Sequence, residues 1–332
     1  MPRDRLRRSA RGGADGPVRE GPPPGVGRLH WYETGVLGRK LAVLHHPERG
    51  TVTTTVQLHS DSIGTLLAGG GARLHRLLGG LAQAPTPLCR LQVLADDGQP
   101  GRGRRVHLVA ALPLTRATAA DARAISDVPG AGLALIAGRA TLELARRLAD
   151  VELSIQGFLD TADLAELIRS RYDPGPLPSP GSAPWPAEID ATDHRRLRTI
   201  AVRQVSWHHA TAWVKAWPTT PAGVDLSALL DLQGPKLPRA AAVTAAFQPG
   251  QEPTVAGYLT VSAPAEAELR QARAELRRVL TADSPLQLEW TDREHHLSFV
   301  HTLPLATGLA AAPAEAPATA RTPGLAGVGR WR

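Results

Sequence analysis

His208-His-Ala-Thr-Ala-Trp-Val-Lys-Ala-Trp-Pro218 reads as a β-strand with two unlike faces. Successive side chains of a strand point to opposite sides, so His209, Thr211, Trp213, Lys215 and Trp217 share one face. Ala210, Ala212, Val214 and Ala216 share the other, which is small, apolar and suited to lying under a helix. On either side of this stretch the sequence keeps a regular rhythm. Arg198–Val205 precedes it as a strand; a short helix at Leu226–Leu232 and strands at Ala240–Phe247 and Thr254–Val261 follow. Pro264 marks the start of a helix in which Leu269, Ala272, Leu276 and Val279/Leu280 form one apolar stripe. Strands Leu286–Trp290 and Leu297–Leu303 close this half.

The preceding half shows the same order. Leu41–His46 and Thr51–His59 form a strand pair around the turn at Pro47–Gly50. A helix spans Ile63 to Leu81 and is interrupted by Gly69-Gly70-Gly71. Strands Leu88–Leu94 and Arg105–Leu114, a helix around Leu133–Leu148, a short strand Val151–Gln156 and a small helix opened by Asp160 or Thr161 complete it. The class expected is α+β: two similar sandwich subdomains, each an antiparallel or mixed sheet with helices packed on one face. The expected division is a loose Arg/Gly/Pro arm at 1–28, a first subdomain at 29–172 and a proline-rich connector at 173–189. A second subdomain at 190–305 and a loose Ala/Pro tail at 306–332 complete it.

The formal charge of +7 is concentrated at the ends. Residues 1–28 hold Arg3, Arg5, Arg7, Arg8, Arg11, Arg19 and Arg28 against Asp4, Asp15 and Glu20, while residues 306–332 hold three Arg against Glu315. The remainder is nearly neutral, which disfavours a nucleic-acid binder carrying a basic stripe on its fold. Cys89 is the only cysteine, so an internal disulfide and a CxxC site are excluded; it alternates with Leu91 and Val93 as a small core residue would. The longest uncharged apolar runs, Val106–Thr115 and Val128–Gly138, are about half the roughly 20 residues that cross a bilayer. No transmembrane span and no signal peptide are expected.

Chemistry has few footholds. Histidines come in pairs at 45/46, 208/209 and 295/296, but adjacent residues on a strand face opposite ways, and no HExxH or Cys/His spacing is present. Gly69–His75 lacks the GK[ST] ending of a phosphate-binding loop, and Gly98–Arg105 joins two strands instead of opening a helix. Asp96-Asp97 and Asp160…Asp163 are carboxylate pairs of the kind that turns and caps produce. No catalytic, cofactor-binding or metal residue is expected, and no small-molecule substrate. Trp213, Lys215 and Trp217 are the candidate partner interface, unless the rings pack beneath the proline-rich connector or the neighbouring helix.

From about His208 to Leu305 the chain resembles the C-terminal half of EccE, a peripheral component of actinobacterial type VII (ESX) secretion machinery. The features that carry it are Ala212–Pro218, Ser227-Ala-Leu-Leu230, Ala245-Ala-Phe247, Gly257–Pro264 with the helix to Leu280, and Leu303-Pro-Leu305. Gly130–Leu148 followed by Phe158–Leu167 is similar more loosely, and Ile168-Arg-Ser-Arg-Tyr-Asp173 leans toward a relative from conjugation-like gene clusters. The resemblance implies a non-enzymatic part of the cytoplasmic side of a membrane complex, held to other type VII secretion core components by protein–protein contact. Family members carry an N-terminal transmembrane hairpin, where this chain has the Arg-rich arm. Three alternatives stay open: a start called at the wrong place, a lost hairpin, or peripheral recruitment, the last through Arg3, Arg5, Arg7, Arg8 and Arg11 at an anionic surface. The alternatives are a His-dependent hydrolase or transferase and a DNA-handling accessory of a conjugation-like system.

Overall fold

A strand covered on both faces reads as a near-continuous apolar run. Arg239–Ala246 is such a strand, with every residue from Ala240 to Ala246 buried. It lies at the middle of the molecule because elements from both halves of the chain close over it. The computed structural model describes residues 25–83, 87–97, 103–128, 130–175, 189–202, 205–221, 223–248, 251–281 and 284–308. The first half contributes β1 (His30–Val36), β2 (Arg39–His46), β3 (Thr51–Leu58), α1 (Ser60–Gln83), β4 (Arg90–Asp97) and β5 (Arg105–Pro113). It continues with α2 (Arg116–Ile125), α3 (Ala131–Asp150), β6 (Ile155–Phe158) and α4 (Thr161–Tyr172). The second half contributes β7 (Ile189–Asp193), β8 (Arg198–Val202), β9 (Val205–Ala216), the small hairpin β10 (Thr219–Thr220) and β11 (Gly223–Val224), and α5 (Ser227–Leu230). Then come β12 (Arg239–Ala246), β13 (Thr254–Ala263), α6 (Glu266–Val279), β14 (Gln287–Trp290) and α7 (His295–Ser298), with a 3-10 turn at Phe299–Thr302.

The α+β class is as expected, but where two large sheets were expected the described residues form one, beside the small β10–β11 hairpin. Its strands run β1-β2-β3-β5-β4-β12-β13-β9-β8-β7, with β6 added to β3 and β14 added to β9. Read from either end the order is the same, and the two halves meet where β4 pairs antiparallel with β12, Val93 opposite Val243. The layer of α1, α3, α5 and α6 covers one face. Its core is continuous across the junction, taking Leu91 and Val93 from β4, Val243 and Ala245 from β12, and Leu144 and Leu276 from the helices.

The other face is a trough. Leu44 of β2 and Ile200 of β8, near opposite ends of the sheet, belong to one cluster with Leu164, Ile168 and Tyr172 of α4 and with Phe299, Val300 and Leu303. The sheet therefore curls around α4 and the segment after α7. Asp160 opens α4 as expected, its carboxylate accepting from the N–H groups of Ala162 and Asp163 at 2.9 Å each. Gly69 and Gly71 take left-handed φ values of 63° and 73°, which places the expected interruption in α1.

Several expectations change. Leu297–Leu303 is not a strand but α7 and the 3-10 turn, because Phe299 and Val300, neighbours in sequence, both drop into the trough core. The strand expected at Val151–Gln156 starts later, at Ile155, after a turn in which Glu152 has φ 62°. Val26, read as part of a loose arm, is buried in the trough, and so are Ala306 and Thr307 of the expected tail. Most of the connector, residues 176–188, lies outside the described residues.

The α2–α3 contact depends on Gly132, where a Cβ would stand 1.8 Å from the Ala122 carbonyl oxygen. Gly132→Ala should destabilise the chain by about 1–3 kcal/mol, since the overpacking cost exceeds the roughly 1 kcal/mol gained in helix propensity. A urea midpoint that stays level or rises would contradict this contact.

Candidate functional site

The trough floor is polar. Arg90, Gln92 and Asp96 of β4, His107 of β5, Thr244 of β12, Thr260 and Ser262 of β13, and His209 and Thr211 of β9 are all buried there. A buried polar group without a partner costs about 1–3 kcal/mol, so each needs one. Four of them, Arg90, Gln92, Thr244 and Thr260, find it in the segment that crosses the trough. Gln92 Nε2 donates to the His301 carbonyl at 2.8 Å, and its Oε1 accepts from the Ala306 N–H at 3.1 Å. Arg90 donates to the Ala306 carbonyl at 3.2 Å and Thr244 to the Thr307 carbonyl at 2.8 Å. The hydroxyls of Thr211, Thr260 and Thr302 form a chain with 2.9 Å spacings. His209 Nδ1 lies 2.8 Å from Ser262 Oγ, with its ring edge-on to Phe299 at 5.1 Å. The Thr211 N–H donates to His295 Nδ1 at 3.2 Å, which makes that ring neutral at Nδ1 and turns Nε2 toward Asp292, 3.6 Å away.

A charged cluster sits deeper, under α4. Arg171 forms an ion pair with Asp96, and His107 Nδ1 stands 3.6 Å from Asp96 Oδ2, all three side chains being at most 3% exposed. Burial holds His107 well below the usual imidazole range, and the neighbouring Arg105 and Arg171 push it the same way. Burial also lowers Arg171, against which the Asp96 carboxylate acts. His107 forms part of the wall of a cavity of about 160 Å³, with Gln57, Arg105, Gln156, Asp163 and Glu166. Partial burial, with Asp160 and Glu166 nearby, raises the Asp163 carboxyl above its ordinary value. An imidazole held neutral so far below its usual range is a weak base. Among the described residues that line this cavity there is no serine, threonine or cysteine. Among the described residues, no group of three or more His, Cys, Asp or Glu is placed to hold a metal ion.

The tryptophan strand is divided by its own geometry. Trp213 points to the trough side at the open end, 38% exposed, between its cross-strand neighbours Tyr258 of β13 and Glu289 of β14. Lys215 is on the same surface, 3.9 Å from the Glu289 carboxylate. Trp217, expected beside them, is instead on the helix side: its ring fills the space over Gly257 next to Val214. Strand β9 ends at Ala216 and Pro218 cannot extend it, so the alternation that placed Trp217 stops one residue short. Arg3, Arg5, Arg7, Arg8 and Arg11 lie outside the described residues.

The buried cluster is not visible in the sequence. Asp96 read as a turn carboxylate, and Arg171 had no visible partner in sequence. The signal that could have found them is the spacing Arg90, Gln92, Asp96 within an otherwise apolar strand, which puts three polar side chains on one face. No family model matches the chain, and no curated protein matches it. Among the described residues, no helix is long and apolar enough to cross a membrane.

The trough histidines give the fold an acid limit. Burial, joined by Arg198, takes His209 down to about 3; burial, joined by Arg273, takes His295 down to about 4, both from 6.5. The unfolded chain therefore binds more protons below pH 6.5. The stabilisation is complete above that pH and falls away as the pH drops toward 4 and 3. The slope approaches about 1.4 kcal/mol per pH unit for each ring. Urea midpoints should be clearly lower at about pH 5 than at about pH 7.5, and equal midpoints would contradict neutral burial.

Proposed function

We propose that this chain is a non-enzymatic docking component that works by surface contact, of the kind its resemblance to EccE implies. In that reading it is an accessory of a type VII or related secretion system and binds other core components at the cytoplasmic face of the membrane complex. The observation that carries the reading is Trp213. It is the one large aromatic side chain among the exposed hydrophobics of the described residues, set beside the Lys215–Glu289 pair at the open end of a face that is otherwise covered. Tryptophan ringed by polar groups is the residue type most often dominant in protein interfaces. The engagement of the trough's polar groups by the chain's own backbone supports it too, since those side chains hold the fold's shape.

Capture of neighbouring membrane components by the full chain tests this. Trp213→Ala should weaken capture by at least about tenfold, a loss of roughly 1.4–2 kcal/mol, while leaving the thermal midpoint within a few degrees. Trp217→Ala should do the reverse, lowering stability through the cavity it leaves over Gly257. Undiminished capture by the Trp213 variant would overturn the assignment.

A further inference from the structure

The charge of the folded part is close to balanced overall but not locally. At one end of the sheet the β7–β8 turn carries His194, Arg195 and Arg196, all exposed. Against it lies the loop between β14 and α7, where Arg293 is exposed, has a left-handed φ of 75°, and donates its backbone N–H to the Arg195 carbonyl at 2.9 Å. Side chains other than glycine avoid that conformation, and it persists only where surrounding contacts impose it. Arg273 of α6 imposes it here. Its guanidinium, almost fully buried and 4.4 Å from the centre of the Trp290 ring, donates to the Arg196 carbonyl and, at 2.8 Å, to Asp292.

The same contacts use up the acidic groups. Asp292 is held by Arg273 and lies 3.6 Å from His295; Asp193 lies 3.7 Å from Arg198 and 3.3 Å from His296. Glu294 is the one carboxylate of the two segments outside these pairs. Among the described residues, none of Arg195, Arg196 or Arg293 is within ion-pair distance of a carboxylate. Arg277 adds a fourth exposed cation one turn beyond Arg273. Leu297 of α7, four residues after Arg293 and next to the His296 that meets Asp193, is 48% exposed.

We propose that this end of the sheet is a bilayer-facing surface, at which Arg195, Arg196, Arg277 and Arg293 engage anionic phospholipid headgroups and Leu297 enters the acyl boundary. Uncompensated arginines grouped on fixed loops match a plane of phosphates. An exposed apolar side chain four residues from Arg293, next to the His296 that meets Asp193 of the same end, favours lipid over nucleic acid, whose backbone offers it nothing. This deepens the docking reading by naming the surface that would face the membrane, but its test needs no protein partner.

Flotation of the full chain with vesicles of phosphatidylglycerol and phosphatidylcholine in equal parts provides the test. Each basic residue near an anionic leaflet is worth roughly a fivefold change in partitioning. Reversing two charges in R195E/R293E should therefore lower binding by at least about tenfold, with an unchanged circular dichroism spectrum. Leu297→Ser should weaken binding severalfold without altering charge, and Arg146→Glu on α3 should leave it as in the parent. Trp213→Ala should also float like the parent, which separates this surface from the protein-docking one. If R195E/R293E binds vesicles as well as the parent does, the Arg-rich arm alone carries the attraction and the proposal is overturned. Tighter retention on duplex DNA than on vesicles overturns it equally.

Discussion

The antiparallel pairing of Arg90–Asp97 with Arg239–Ala246 is the contact on which the rest of the structure depends. It turns two strand sets into one sheet and makes the helix-side core a single layer. Beyond the backbone pairing, Arg239 forms an ion pair with Asp97 at one end of the two strands. The side chains of β12 are small for a reason visible on the trough side. Ala240, Ala242 and Ala246 leave room in which the returning chain can lie close enough for Thr244 to reach the Thr307 carbonyl. Because β4 and β12 hold equivalent places in their halves, the junction pairs a strand with its own counterpart.

The trough then sets the electrostatic character of the molecule. Curling brings β2 and β8 toward one cluster, so α4 and the segment after α7 are enclosed and every polar group facing them loses water. Where members of such a network are paired, as Gln92, Thr244 and Thr260 are with the returning chain, they hold the core to one geometry. The pairing of Asp96 with Arg171 adds little net stability, because desolvation offsets most of the attraction. It does fix where α4 sits, since an Arg171 displaced from Asp96 would be a buried charge alone. At the opposite end Arg273 performs the outward version of this task. One buried guanidinium organises two loops and leaves other guanidiniums facing solvent.

Much of this architecture was legible in the sequence, and its failures are instructive. Strands with one small apolar face, such as β9, and helices with a clear stripe, such as α6, were placed within a few residues because periodicity reports local burial directly. The single sheet was not legible. The pairing of β4 with β12 joins residues about 150 positions apart, and nothing in either strand distinguishes an edge that pairs from one left open. Strand β1 passed unread because its side chains are only partly buried, so His30–Gly35 shows no apolar alternation. At the candidate interface Trp213 and Lys215 were located correctly relative to one another. Trp217 was not, because alternation says nothing about where a strand stops. The basic end escaped notice for a related reason: its arginines come from α6 and two separate turns, and only the fold gathers them.

If one sheet and one helix-side core unite the halves, they should unfold together. Hydrogen exchange of the backbone amides under mildly denaturing conditions measures this most directly. The amides of Arg90–Asp97 and Arg239–Ala246 should be among the slowest, opening only with the whole molecule in a single transition. Separate transitions for the two halves, with β4 and β12 exchanging before the strands on either side of them, would contradict the joined sheet.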